Sequence, residues 1–284
     1  MRLLAAAVGL ASGRWALAAV RRAAPLERAN YRGRRVSLAG GPAVALAASV
    51  GAVTGAAARR DLAGACALAG LGAGAVGLYD DVIGARQAPA RGLRGHVGAL
   101  REGRVTTGLV KVVGLTATAL AAAALLPSRR GGRACRAVDV ALGAGVIAGT
   151  ANLVNLLDRR PGRALKATLL LAAPLTAMLD DSRGPGSPDH PRSARRGVAA
   201  GVVGAAVALL PDDLGERVMI GDTGANGLGA LVGLAVVARR GPAGRAALLA
   251  GLVALTGASE RVSFTSVIDA TPGLRELDRL GRRS

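Results

Sequence analysis

Cysteine, histidine, lysine and aromatic side chains are all scarce in this chain of 284 residues. It holds two cysteines, two histidines and 1% aromatic residues. Cys66 and Cys135 stand singly, inside or beside apolar segments. They exclude a disulfide framework and a cysteine metal site, and they read as small buried fillers. Lysine is as rare: of 37 basic residues only Lys111 and Lys166 are lysine, and the rest are arginine. In a chain so biased, a retained lysine points to a compact ammonium with a task such as phosphate binding. His190 lies among prolines and reads as solvated rather than as a ligand.

What is plentiful is aliphatic sequence. Hydrophobic residues make up 51% of the chain, glycine supplies 42 positions, and the net charge is +19. A membrane-spanning helix needs about 20 mostly apolar residues. Candidate runs lie at 3–20, 38–57, 62–79, 108–126, 137–154, 164–179, 197–211, 222–238 and 243–259. The many glycines and alanines suit close helix packing in lipid. The expected fold is all-α: a polytopic integral membrane protein with about nine to ten transmembrane helices. A single transmembrane domain covers 1–284, and 258–284 forms an amphipathic cytoplasmic tail. Arg2 followed by Leu3 to Ala11 has the form of a signal peptide. Arg14 breaks that run and no small-residue cleavage site follows, so the segment reads as a first spanning helix.

A basic chain suggests nucleic acid, but here the arginines fall in loops between apolar runs. Anionic headgroups and the positive-inside bias explain them, and nucleic acid is not an expected partner. The bias puts the N-terminus outside. The segment 84–107 is then an ordered inner loop, and Asp180 to Arg196 an outer linker rich in Pro, Gly and Ser.

Three polar clusters end or open apolar runs, and an even number of crossings separates them, which places them on one face. Asp80 and Asp81 adjoin at the end of 62–79. Such a pair holds Mg²⁺ or acts as a base, or else it ends a helix beside arginines. Asn152, Asn155 and Asp158 recur at intervals of three, on one helical face. They suit a polar ligand, or interhelical hydrogen bonds. Asp222 sits in Gly221-Asp222-Thr223-Gly224-Ala225-Asn226-Gly227, just before a helix. Exposed N–H groups there favour phosphate, and one carboxylate with substrate phosphates suffices for Mg²⁺.

Taken in order, these residues resemble a family. Val36-Ser37-Leu38-Ala39-Gly40-Gly41, Gly77-Leu78-Tyr79-Asp80-Asp81, Arg91-Gly92-Leu93-Arg94-Gly95-His96, Thr106 to Lys111, Asn152-x-x-Asn155-x-x-Asp158 and Gly221-Asp222-Thr223-Gly224-Ala225 are similar to motifs of the polyprenyl-phosphate N-acetylhexosamine-1-phosphate transferases. That superfamily, glycosyltransferase family 4, includes the phospho-MurNAc-pentapeptide translocase and the GlcNAc-1-phosphate transferases. The resemblance implies about ten spans and a cytoplasmic active site in the plasma membrane. It implies Mg²⁺-dependent transfer of a sugar-1-phosphate from a UDP-sugar to a polyprenyl phosphate, with release of UMP, in cell-envelope polymer synthesis.

It also implies roles. Asp222 binds the metal, and Asp80 and Asp81 stand beside the attacking lipid phosphate, one of them as base; the scarcity of lysine adds Lys111 as a phosphate binder. Asn152, Asn155 and Asp158 face the nucleotide. The expected partners are the polyprenyl phosphate, the nucleotide-sugar and the membrane, and a homodimer is compatible with them. Two departures mark a divergent member. Where the family continues Asp-Gly-x-Asp-Gly, this chain has Asp158-Arg159-Arg160-Pro161-Gly162. The C-terminal His-rich loop is absent, since the histidines are His96 and His190. Two rivals remain: a non-catalytic descendant that binds lipid-linked precursors or envelope partners, and a membrane transporter.

Overall fold

The computed structural model describes residues 1–23, 26–84, 106–127, 132–177 and 191–283. Most of the loop at 84–107, with Arg91 to His96, lies outside the described residues, as do His190 and the first part of the linker at 180–196.

Each of the nine apolar runs carries a helix. They are α1 (Arg2–Ala23), α2 (Gly40–Gly55), α3 (Arg60–Ile83), α4 (Thr107–Leu125), α5 (Arg133–Leu157), α6 (Arg163–Ala177), α7 (Pro191–Leu214), α8 (Gly221–Val237) and α9 (Pro242–Ser259). Two short helices follow, α10 (Phe264–Ala270) and α11 (Pro272–Arg279). One antiparallel hairpin departs from the all-α expectation: β1 (Glu27–Ala29) pairs with β2 (Arg35–Ser37), Arg28 opposite Val36. A π-helical turn at Leu68–Gly72 interrupts α3.

Among the described residues, α1, α3, α4, α5 and α7 are long and apolar enough to cross a membrane, and α9 with α10 makes a sixth if that pair, bent by 89°, counts as one span. The nine crossings expected exceed that number. The 16 residues of α2 extend about 24 Å, short of the ~30 Å hydrocarbon core. Burial is distributed as in a lipid-facing bundle. Leu3, Val112, Val113, Leu170 and Val253 are exposed, while the interior is largely alanine, valine and glycine. Large apolar residues facing outward over several helices mark a surface not meant for water.

Small residues set the core. α1, α2 and α7 pack against one another, and a Cβ at Gly51 would lie 2.8 Å from the Gly201 Cα. Such contact between backbones is the use of glycine in helix pairs. α8 is the central helix, buried along most of its length and packed on α2, α3 and α5. The hairpin is tied to the start of α8, for Met219 N–H donates to the Ser37 carbonyl at 2.9 Å.

The cysteines part company. Cys66 is buried in α3 as expected, but Cys135 is exposed, because it falls in the first turn of α5, beyond the packed part of that helix.

Candidate functional site

The first turn of α8 has no capping side chain of its own; Ile220 holds the N-cap position. The free N–H groups of a helix start need acceptors. Asp81, from the end of α3, supplies them. Its Oδ1 accepts from Asp222 N–H at 3.1 Å, and its Oδ2 accepts from Thr223 N–H at 2.9 Å and from Thr223 Oγ1 at 2.7 Å. Arg28 Nη1 lies 3.4 Å from Oδ1. The Asp81 side chain is 1% exposed, so both oxygens are engaged within the protein.

The close approach that permits this cap depends on two glycines. A Cβ at Gly77 would come 2.2 Å from the Asp222 carbonyl oxygen. Gly221 has φ +52° and sits against the Asp81 carboxylate. Left-handed backbone at that spot is glycine's domain.

Asp80 turns elsewhere. It hydrogen-bonds Thr107 at the start of α4 and meets the Asp222 side chain. Lys111, one turn further along α4, joins the two carboxylates: its Nζ lies 2.5 Å from Asp222 Oδ2 and 3.4 Å from Asp80 Oδ2. Asn155, from α5, completes the group. Its amide nitrogen donates to Asp222 Oδ1 at 2.6 Å and its oxygen accepts from Lys111 Nζ at 2.8 Å; the reverse orientation would set like atoms together. Four helices thus converge on one ammonium and two carboxylates.

The other expected residues divide. Asn152 Nδ2 donates to Thr256 Oγ1 on α9 at 3.2 Å, an interhelical bond directed away from Lys111. A spacing of three turns a side chain by about 60° relative to its fellow, enough to send Asn152 and Asn155 to different neighbours. Asp158 lies just past the end of α5. Burial, and after it the carboxylates of Asp213, Asp222 and Asp81, push its carboxyl well above the usual carboxylate range.

A cavity of about 480 Å³ opens beside this cluster. Lys111, Asn155, Asp158 and Asp222 line it, together with the hairpin and the segment from Arg159 to Pro161; Asp80, Asp81 and Asn152 do not. Sequence reasoning passed over several of its walls. Tyr31, in the hairpin turn, carries the Arg160 guanidinium 4.4 Å from its ring centroid. Asp213, at the end of α7, accepts from Gly162 N–H at 2.6 Å and from the backbone of Ile220, so it ties the α5–α6 loop to the start of α8. A signal was available there: Asp212-Asp213 closes an apolar run just as Asp80-Asp81 does.

Lys166 does not reach this cluster. Its Nζ donates to the carbonyls of Leu277, Asp278 and Leu280 at 2.9, 2.9 and 2.6 Å, so the expectation of a second phosphate lysine is replaced by a cap on α11. The ammonium is spent on carbonyls that end a helix.

Among the described residues no group of three or more His, Cys, Asp or Glu side chains is arranged to hold a metal ion by itself. The observed set fits a looser mode. Two carboxylates in contact require a cation or a shared proton between them, and Lys111 provides the positive charge here. Mg²⁺ bound with substrate phosphates asks for only one or two protein carboxylates. No model of a known protein family matches the chain, and no curated protein matches it.

Proposed function

We propose that the protein transfers a sugar-1-phosphate from a UDP-sugar to a polyprenyl phosphate at the cytoplasmic face of the plasma membrane, as a divergent member of the family its motifs resemble. One observation carries this reading: Asp80, Lys111, Asn155 and Asp222, distant in sequence, meet beside one cavity. Its volume, about 480 Å³, lies in the range of small-molecule sites, roughly 300–1,000 Å³.

In the reaction an oxygen of the lipid phosphate attacks the phosphorus that bears the sugar. One P–O bond forms, the P–O bond to UMP breaks, and UMP leaves with the electron pair. Such a transfer asks the protein mainly to position its reactants and to neutralise charge. Asp222, with Asp80 beside it, would hold Mg²⁺, which supplies charge neutralisation on the phosphates. Lys111 binds phosphate once the anionic substrate draws it from the carboxylates. Asp80 orients the lipid phosphate or takes its proton, a role for which it is better placed than Asp81, whose oxygens anchor α8. Arg28, Arg159 and Arg160 on the cavity wall offset the charge of the diphosphate. Asn155 and Asp158 face the nucleotide, and Asn152 holds α5 against α9.

Purified protein with Mg²⁺ and polyprenyl phosphate is expected to exchange labelled UMP into a UDP-sugar. Absence of exchange with every common UDP-sugar would overturn the reading. A second reading has an observation of its own: Asp80 and Asp222 already have a cation partner of their own in Lys111. A non-catalytic binder of lipid-linked precursors would share that feature. It predicts that Asp222→Asn behaves like the wild type in complementation.

A further inference from the structure

The C-terminal segment is built inside out for a helix facing water. α11 is strongly amphipathic, yet the one residue it buries is charged. Asp278 is 6% exposed, whereas Leu274, Leu277 and Leu280 are 46%, 38% and 67% exposed. The Asp278 carboxylate accepts from Arg163 Nε at 2.8 Å and Nη2 at 2.9 Å, and it pairs with Arg282. Arg163 Nη1 also donates to Thr265 Oγ1 at 2.8 Å, which adds α10 to the same latch. With Lys166 capping the carbonyls, Asp278 and the C-terminal end of α11 are fastened to α6. The leucines are left outside.

Exposed apolar residues recur along the chain before it: Val267 and Val262, then Val253 and Leu255 on α9, a helix whose one buried residue is Arg245. At Glu260 to Ser263 the chain turns by 89°, so α10 runs across the direction of α9. Exposed apolar residues on helices that follow an apolar helix, the first of them set at a right angle to it, match a segment lying at a membrane surface.

We infer that α10 and α11 lie in the lipid interface, with Leu274, Leu277 and Leu280 among the acyl chains and Arg275 and Arg279 at headgroup level. The bilayer is the occupant of this face. The segment has a second consequence. Arg163 directly follows the loop that walls the cavity, and Arg32 Nη2, in the hairpin turn, donates to the Arg283 carbonyl at 3.1 Å. The lipid-seated segment therefore holds two walls of the cavity at the membrane surface. This assignment does not depend on the transfer reaction.

The sole tryptophan is Trp15, so a Trp15→Phe, Leu277→Trp chain reports on α11 alone. In nanodiscs of mixed zwitterionic and anionic lipid, its emission is expected to fall about twofold or more with acyl chains brominated near the headgroup, and iodide should quench it weakly. Leu274→Trp should behave alike, and Glu276→Trp should respond less to bromine. Strong iodide quenching with no bromolipid effect would place the face in water and overturn the inference. Shielding from both quenchers together with a doubled particle mass would overturn it in favour of a second copy. A melting temperature matching the Trp15→Phe parent guards each variant against misfolding, and the two leucine positions give independent readings.

Discussion

Among the described residues two helices end in adjacent aspartates, and the pairs divide their work alike. At the end of α3, Asp81 accepts backbone N–H groups from the start of α8. At the end of α7, Asp213 accepts backbone groups of Gly162 and Ile220. In both pairs one carboxylate serves as a cap for a neighbouring segment. The other meets cations, and there the pairs differ. Asp212 is held by two arginines, Arg14 at 2.6 Å and Arg217 at 2.8 Å, whose side chains are about half exposed. Asp80 shares with Asp222 a single lysine that is 13% exposed and lines a cavity. Planar guanidinium groups hold a carboxylate in fixed geometry, whereas one ammonium shared among three oxygens can move to a new anion. A tandem aspartate is thus a packing device at one helix end and a candidate site at the other. The cation decides which.

The largest expected contrast lies in chemistry. Asp222→Asn should lower UMP exchange by about 10²–10³-fold, the range for losing a key charge-stabilising group, with little change in melting temperature. Asp212→Asn should leave exchange near the wild-type rate and cost about 1–2 kcal/mol, because a buried carboxylate loses its charge toward two arginines that are about half exposed. Equal activity in the two variants would remove the distinction between the helix ends.

The caps come next. Asp81→Asn leaves one acceptor oxygen for four donors in a buried place, and a loss of about 1–3 kcal/mol is expected. Asp213→Asn should cost a similar amount, since it too serves two backbone segments. Thermal unfolding in a fixed detergent measures both. A neutral Asp81→Asn would mean that Asp81 does not anchor α8, and its claim to the base role would return. Gly77→Ala should follow closely, at about 1–3 kcal/mol. Its Cβ would press on the Asp222 carbonyl, where only backbone now meets backbone. Unchanged stability there would mean that α3 and α8 separate without cost.

How much of this was legible beforehand depends on range. Each apolar run became a helix, because composition and length act locally. Asp80, Asn155 and Asp222 were legible as members of polar clusters that end or open apolar runs, and they do meet. The count of crossings used to put those clusters on one face is not matched by the five or six helices able to span. What was missed depends on geometry at a finer grain. Asn152 and Asn155 differ by one small rotation, and that sends one to α9 and the other to the cluster. The hairpin that walls the cavity has strands of three residues, too short to show a period of two. Lys166 looked like Lys111 by composition, and only the fold distinguishes a lysine facing carboxylates from one facing carbonyls.

The last test concerns pH, and it separates Asp158 from the carboxylates engaged by cations. Burial, and then the neighbouring acids Asp213, Asp222 and Asp81, raise the Asp158 carboxyl well above its usual range in the folded protein. The unfolded chain releases this proton near the ordinary aspartate value of about 3.9. Between that value and the raised one, the folded state binds more protons than the unfolded state. Stability from this group is therefore complete below about pH 4 and is lost as pH rises through the raised value. Asp158→Asn removes the group that must give up a proton. Melting temperatures in chelator-treated buffer should put the variant above the wild type at neutral pH, with the gap closing as pH falls toward 4. A wild type more stable than the variant at neutral pH, with that advantage lost in acid, would show that Asp158 is charged and paired and that this wall of the cavity is set for a cation; a gap that does not change with pH would show that its carboxyl is not raised.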